Sequence, residues 1–282
     1  MNYEISKDIQ IICEYLSLTK QDLAKLLGVS FETLSRLSNN HIDPSIDVLE
    51  KFYSFVFKHG IELNLSKVKV LQAHHDIVLF HGSKKEIVGE LSLDYSRNHV
   101  DFGKGFYVGD NYEQAAEFIA NMNESSVYAF EVDYTNLKVL KLDVSMEWMN
   151  LIALNRGHLE KYKNTQKYQQ LLDQLSSYDV IIAPIADMRM ADTINDFVNG
   201  LIPSEPAMHA LKSLHLGDQI VFKTMKALKQ LKPLERFYLC REEKRHYLQK
   251  KLEEVETVGE EVFEIYQKYA GQGQYVMEIF QK

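Results

Sequence analysis

The stretch "DFGKGFYVG", Asp101 to Gly109, interleaves three glycines with Phe102, Phe106 and Tyr107 around a single lysine, Lys104. Turn glycines ordinarily separate apolar runs, but here the permissive backbone and the bulky rings share one place. Neither standard phosphate loop accounts for it. A dinucleotide fingerprint needs G-x-G-x-x-G opening a helix, and a P-loop needs GK followed by Ser or Thr, whereas Lys104 precedes Gly105 and Phe106. The stretch reads as a short strand leaving a glycine loop, with Gly103 and Gly105 letting a ligand approach the backbone closely.

Working outward, the sequence from about residue 68 has strand-like patterning. "DIVLFHGS" is an apolar run ending in a turn, "SVYAFEVDY" and "LKVLKLD" alternate, "YDVIIAPIAD" is a buried run stopped by Pro184 and Asp187, and "GDQIVFKT" is a last clear strand. Helical segments stand between them: "NYEQAAEFIANM", opened by Asn111 to Glu113 with Ala115, Phe118 and Ile119 inward, then "DTINDFVNGL" and "MKALKQL". The irregular order predicts an α+β fold, not a regular βαβ wind. From about Glu235 the chain is charged, with glutamate and lysine at helical spacings, as in a solvated helix or an interaction surface.

Residues 1 to about 66 read as helices. In "TKQDLAKLLGVSFETLSRLSNN", Thr19 caps a helix whose inward residues are Leu23, Leu26 and Leu27, Gly28 ends it with positive φ, and Ser30 caps a second helix with Leu34 and Leu37 on the core side. This resembles the phage-repressor type of helix-turn-helix. The resemblance implies a second helix in the DNA major groove, presenting Phe31, Glu32, Ser35, Arg36 and Asn39. Basic and acidic residues nearly balance over this segment, so one copy neutralises few phosphates and a homodimer would double the contacts. A protein-docking module is the other use of such helices. The expected division is 1–66 for the helix-turn-helix domain, 67–234 for the α+β domain and 235–282 for a helical extension.

Composition bounds the rest. A chain of 282 residues that is 45% hydrophobic and 11% aromatic can bury a globular core. A net charge of −8 is not that of a protein coated for nucleic acid over its whole surface. Cys13 and Cys240 lack metal or disulfide spacing, which suits a reducing, cytoplasmic setting, and neither a signal peptide nor a membrane span is legible. His74, His75 and Asp76, with His81 beyond, read as strand residues pointing to opposite faces, so no metal site is expected.

"FHGS", "DFGKGFYVG…QAAEF", "YDVIIAPIAD" and "GDQIVFKTMKAL" together resemble the His-Tyr-Glu branch of the ADP-ribosyltransferase superfamily, and more narrowly an uncharacterised bacterial domain family placed there. The likeness covers about residues 76 to 233. It implies NAD as substrate. By the resemblance His81 bonds the ribose, backbone groups of Gly82 hold the nicotinamide amide with Ser83 beside them in the cofactor site, and Tyr107 stacks on the nicotinamide ring. Phe102 and Phe106 shape the wall beside Gly103 and Gly105, and Lys104 reaches the pyrophosphate. Where the superfamily has glutamate before a late apolar strand, this chain offers Gln219 or Asp218. A carboxylate there stabilises charge developing on the sugar, and glutamine keeps only the hydrogen bond. Asp187 is a substitute carboxylate or a helix cap, and Arg189 an anion contact. The implied function is mono-ADP-ribosylation of a protein or nucleic acid by an enzyme autoregulated or targeted through its helix-turn-helix, as in toxin–antitoxin or phage-defence systems with an antitoxin partner. The alternative is an inactive regulator that binds NAD or ADP-ribose.

Overall fold

The computed structural model describes residues 1–95, 100–186, 188–214 and 217–280, with their side chains except those of 95, 188, 189 and 254–260. Five helices come first: α1 (Ile5–Tyr15), α2 (Lys20–Leu27), α3 (Phe31–Ser38), α4 (Ile46–Lys58) and α5 (Leu63–His74). Strand β1 (Val78–Ser83), β2 (Phe106–Gly109), α6 (Tyr112–Ile119), β3 (Ser126–Val132) and β4 (Val139–Lys141) follow. Then come α7 (Met146–Asn155), α8 (Gln166–Ser176), β5 (Val180–Pro184), α9 (Met188–Val198), α10 (Ser204–Ser213) and β6 (Asp218–Phe222). The chain closes with α11 (Met225–Leu228), β7 (Leu231–Tyr238), α12 (Arg241–Lys268) and α13 (Val276–Phe280). The fold is α+β, a helical region followed by mixed strands and helices.

The chain forms two compact units: Met1–Glu90, Asn111–Val132 and Lys232–Lys250 make the first, and Leu91–Asp110, Asp133–Leu231 and Lys251–Lys282 the second. Both boundaries expected from the sequence, 66/67 and 234/235, fall inside the first unit.

In the first unit the helices are set by their own ends. Thr19 and Asp22 form a reciprocal capping box at α2, Gly28 closes it at φ +63°, and the Ser30 hydroxyl accepts from the Thr33 amide at 3.0 Å to start α3. Ile9, Ile12, Leu23, Leu34, Leu37, Leu49 and Phe52 make the core, which continues to Tyr238 and Cys240. Leu26 is a correction: it is 57% exposed, and Ala24 takes the inward place because positions 23, 24 and 27 share the buried arc of the helix. Strands lie in the order β1-β3-β7, with β1 and β3 antiparallel. Helix α6 covers β1, and here Phe118 is 54% exposed while Tyr112, Ala115, Ala116 and Ile119 are buried. A buried ion cluster joins these parts: Lys67 of α5 lies 2.9 Å from Asp8 and 2.6 Å from Glu235 of β7, and the Tyr53 hydroxyl donates to Asp8 at 2.5 Å.

The second unit orders its strands β4-β5-β6-β2, with β4 and β5 parallel and the other pairs antiparallel. Its core gathers Trp148, Met149, Ile181, Phe197, Val221 and Phe280. "MKALKQL" is only the short α11, because the chain turns at once into β7. That strand is a second correction, since the charged tail begins as strand and becomes helical only at Arg241. A third concerns His74 and His75, which end α5 and do not lie on a strand.

Candidate functional site

Two places bear on function. The first is α3. Leu34 and Leu37 face the core, and Lys20 of α2 donates to the Ser38 hydroxyl at 2.7 Å, fixing the two helices against each other. The opposite face is open: Phe31, Glu32, Arg36 and Asn39 are exposed, and Ser35 is half-buried. The structure thus brings all five residues named for a nucleic-acid interface onto or beside one short helix. A helix with one buried face and one free polar face can enter a groove without disturbing its own packing.

The second place is Asp101 to Gly109 and the strand it leads into. Antiparallel pairing sets Phe106 against Phe222 and Gly109 against Gln219. The glycines answer to these neighbours. A Cβ at Gly105 would stand 2.5 Å from Val221 Cγ1 and 3.0 Å from the Phe222 carbonyl. Gly103 has φ +69°, and a Cβ there would meet Asn155 Oδ1 at 2.8 Å. The rings are similarly committed. Phe102 is fully buried in the core, Phe106 is buried, and Tyr107 packs against that core with its hydroxyl donating to the Gly103 carbonyl at 2.7 Å and accepting from the Phe102 amide at 3.1 Å. Burial pushes the Tyr107 hydroxyl well above its ordinary pKa. Lys104 points outward into a surface ion pair with Asp94 at 2.9 Å.

Asp101, to which sequence reasoning gave no role, anchors the loop. Arg156, the C-cap residue of α7, approaches its Oδ1 to 2.7 Å and also donates to the Ala186 carbonyl. Gln219 of β6 donates to Asp101 Oδ2 at 2.8 Å and to the Pro184 carbonyl at 3.2 Å, which also accepts from Trp148 Nε1 at 3.1 Å. Gln219 is therefore a buried tie between three segments, and its amide hydrogens are what the site uses. A glutamate would set a carboxylate against Asp101 and a carbonyl. Lys223 donates to the Phe102 carbonyl, and burial lowers its pKa to about 8. Asp218, the other residue named for the third position, begins β6 half-exposed. Beyond Gly109 the chain reaches Asp110, whose carboxyl is raised by burial and then by the charge of Asp218. No local pattern in the sequence marks Asp110, Arg156 or Lys223.

His81, Gly82 and Ser83 lie on β1 in the first unit, with His81 opposite Tyr128 of β3. A Cβ at Gly82 would stand 2.5 Å from the Ala115 carbonyl, so this glycine lets α6 sit on the strand. The Ser83 hydroxyl donates to the Lys85 carbonyl at 2.8 Å. At Gly82, Gly103 and Gly105 the place a Cβ would take is filled by the chain's own atoms, so the packing of the fold by itself requires glycine there. Asp187 lies outside the described residues, as does the side chain of Arg189. Among the described residues no group of three His, Cys, Asp or Glu could hold a metal ion, and no helix is long and apolar enough to cross a membrane.

Comparison with known families matches two stretches of the chain. Residues 12–52 match a helix-turn-helix family model, so α2 and α3 are a helix-turn-helix by pattern as well as by geometry. No curated protein and no solved structure matches the chain. Residues 77–233, more than half of the chain, match the model of a family described as "Protein of unknown function (DUF3990)", and the chain belongs to that family.

Proposed function

We propose that this protein is a DNA-binding regulator that reads the major groove with α3, and that its 67–234 domain binds NAD⁺ as a relative of the ADP-ribosyltransferases. The observation that carries the reading is the open face of α3, with Phe31, Glu32, Arg36 and Asn39 exposed opposite the buried Leu34 and Leu37. The modest charge of the helical region means that two copies bind better than one, so the DNA-bound form is a homodimer on a two-fold site. The NAD⁺ part rests on the motif resemblance alone, which names His81 for the ribose.

Binding without turnover is favoured by Gln219, whose amide is committed to Asp101 and Pro184. A transferase that modifies a protein or nucleic acid is the second reading, favoured by the carboxylates of Asp110 and Asp218 at the end of the β2–β6 pair. Calorimetry with NAD⁺ and an assay for free nicotinamide separate the two. The regulator reading expects saturable NAD⁺ binding, weakened in a folded His81→Ala variant, and no nicotinamide. Nicotinamide release that Asp218→Asn abolishes supports the transferase. Neither binding nor release removes NAD⁺ from the account and leaves the DNA reading to its own test.

A further inference from the structure

A cleft inside the first unit gathers a buried carboxylate and a buried amide oxygen that has no donor among the described residues. It has a cavity volume of about 40 Å³ and is lined by Phe57 of α4, Glu62 and Asn64 at the start of α5, Glu113 of α6, and Glu243 and Tyr247 of α12, among others. Glu243 is only 6% exposed, and both of its carboxylate oxygens accept from one nitrogen, Asn64 Nδ2, at 3.2 and 3.0 Å. The same nitrogen donates to the Tyr238 carbonyl at 2.9 Å, so it is fully used. Asn64 Oδ1, on a side chain that is 3% exposed, has no partner among the described residues, and the buried Tyr112 hydroxyl lies close enough to Glu243 to favour its carboxylate.

The charge around this cluster is negative. Glu113 is paired with Lys250 at 3.0 Å, while Glu62 sits exposed at the mouth. Burial pushes the Glu243 carboxyl up to about 7, against the opposing pull of the Asn64 amide, the Tyr112 hydroxyl and the charge of Lys244. An unsatisfied buried acceptor costs about 1–3 kcal/mol, and a buried carboxylate costs more. The missing complement is therefore a cation with several N–H donors. A water fits the volume but supplies two hydrogens and no charge. No group of three metal-ligating side chains is present among the described residues. Phe57 and Tyr247 offer apolar edges to a hydrocarbon stem.

We propose that this cleft binds the primary ammonium group of an aliphatic amine, with Glu243 and Asn64 Oδ1 accepting its hydrogens and Glu62 at the entrance. Such an occupant ties α5, which follows the helix-turn-helix helices, to α12. The site is independent of the NAD⁺ reading and uses none of its residues.

Calorimetry on the full chain at low salt tests it with three probes: putrescine, the uncharged butanediol of the same length, and lysine blocked at its amino and carboxyl ends. Putrescine is expected to bind saturably and butanediol not at all. Glu243→Gln is expected to weaken putrescine about tenfold or more, the loss of a charge-assisted bond. Glu62→Gln, at an exposed position where folding is not at stake, is expected to weaken it about two- to fivefold. Tighter binding of blocked lysine than of putrescine assigns the site to a lysine of a partner chain, and the reverse assigns it to a free amine. Absence of saturable heat with both amines, equal binding of butanediol, or unchanged affinity in the folded Glu243→Gln and Glu62→Gln variants would overturn the proposal.

Discussion

Helix α3 and the Asp101–Gly109 stretch are of similar length and are fixed in opposite ways. The helix is held by its own ends and by near neighbours: Ser30 caps it within three residues and Lys20 of α2 braces it, leaving its outer face unspent. The glycine-rich stretch is held from far along the chain. Asp101 is anchored by Arg156 and Gln219, 55 and 118 residues away, and the Phe102 carbonyl by Lys223, 121 residues away. A segment fixed locally keeps its side chains free to meet a partner. A segment whose rings, carboxylate and backbone are all engaged by its own fold is a structural keystone, and chemistry near it must use groups at its margin, such as Asp110 and Asp218.

Substitutions test this contrast. The largest loss is expected from Arg156→Met, which leaves Asp101 mostly buried with Gln219 as its remaining side-chain hydrogen-bond donor among the described residues. Removing one partner of a buried pair costs about 3–5 kcal/mol, to be read from urea unfolding of the second unit. Next is Gly105→Ala, where the added methyl meets Val221 Cγ1 at 2.5 Å and the backbone behind it. Overpacking of this kind costs about 1–3 kcal/mol. A Gly105→Ala variant as stable as wild type would show that the loop can step away from β6 and is not the keystone described. The smallest effect is expected from Ser30→Ala, which removes the α3 cap at a cost of about 1 kcal/mol and loosens α3 without touching the second unit. Hydrogen exchange on α3 and on β6 in that variant reads both halves of the expectation.

Much of the first unit is legible in the sequence because its determinants are local. Thr19, Asp22, Gly28 and Ser30 announce their caps within a few residues, and the inward Leu23, Leu27, Leu34 and Leu37 follow the helical period. Leu26 and Phe118 were misplaced because apolar character does not say which edge of a helix is buried; the neighbouring alanines, Ala24 and Ala116, are the buried ones. Strand β7 was hidden by its charges. Lys232 and Pro233 are exposed, while Glu235 and Arg236 are drawn inward by Lys67 and Glu86, partners at remote positions. The same reason conceals the role of Asp101 and the commitment of Gln219, since a side chain paired across more than a hundred residues leaves no spacing to read. The positions of β1, β2, β3, β5 and β6 were legible as apolar runs, whereas the purpose of the glycines between them depended on what the fold brings alongside.

Fluorescence anisotropy of the full chain on a duplex from upstream of its own gene, titrated at several salt concentrations beside a random duplex, reads out whether α3 is a DNA-reading helix. Wild type is expected to prefer its own duplex, with affinity falling as salt rises. Arg36→Ala is expected to lose about 1–3 kcal/mol on that duplex and to discriminate less against the random one. Equal affinity for the two duplexes, or an Arg36→Ala variant indistinguishable from wild type, would contradict the account.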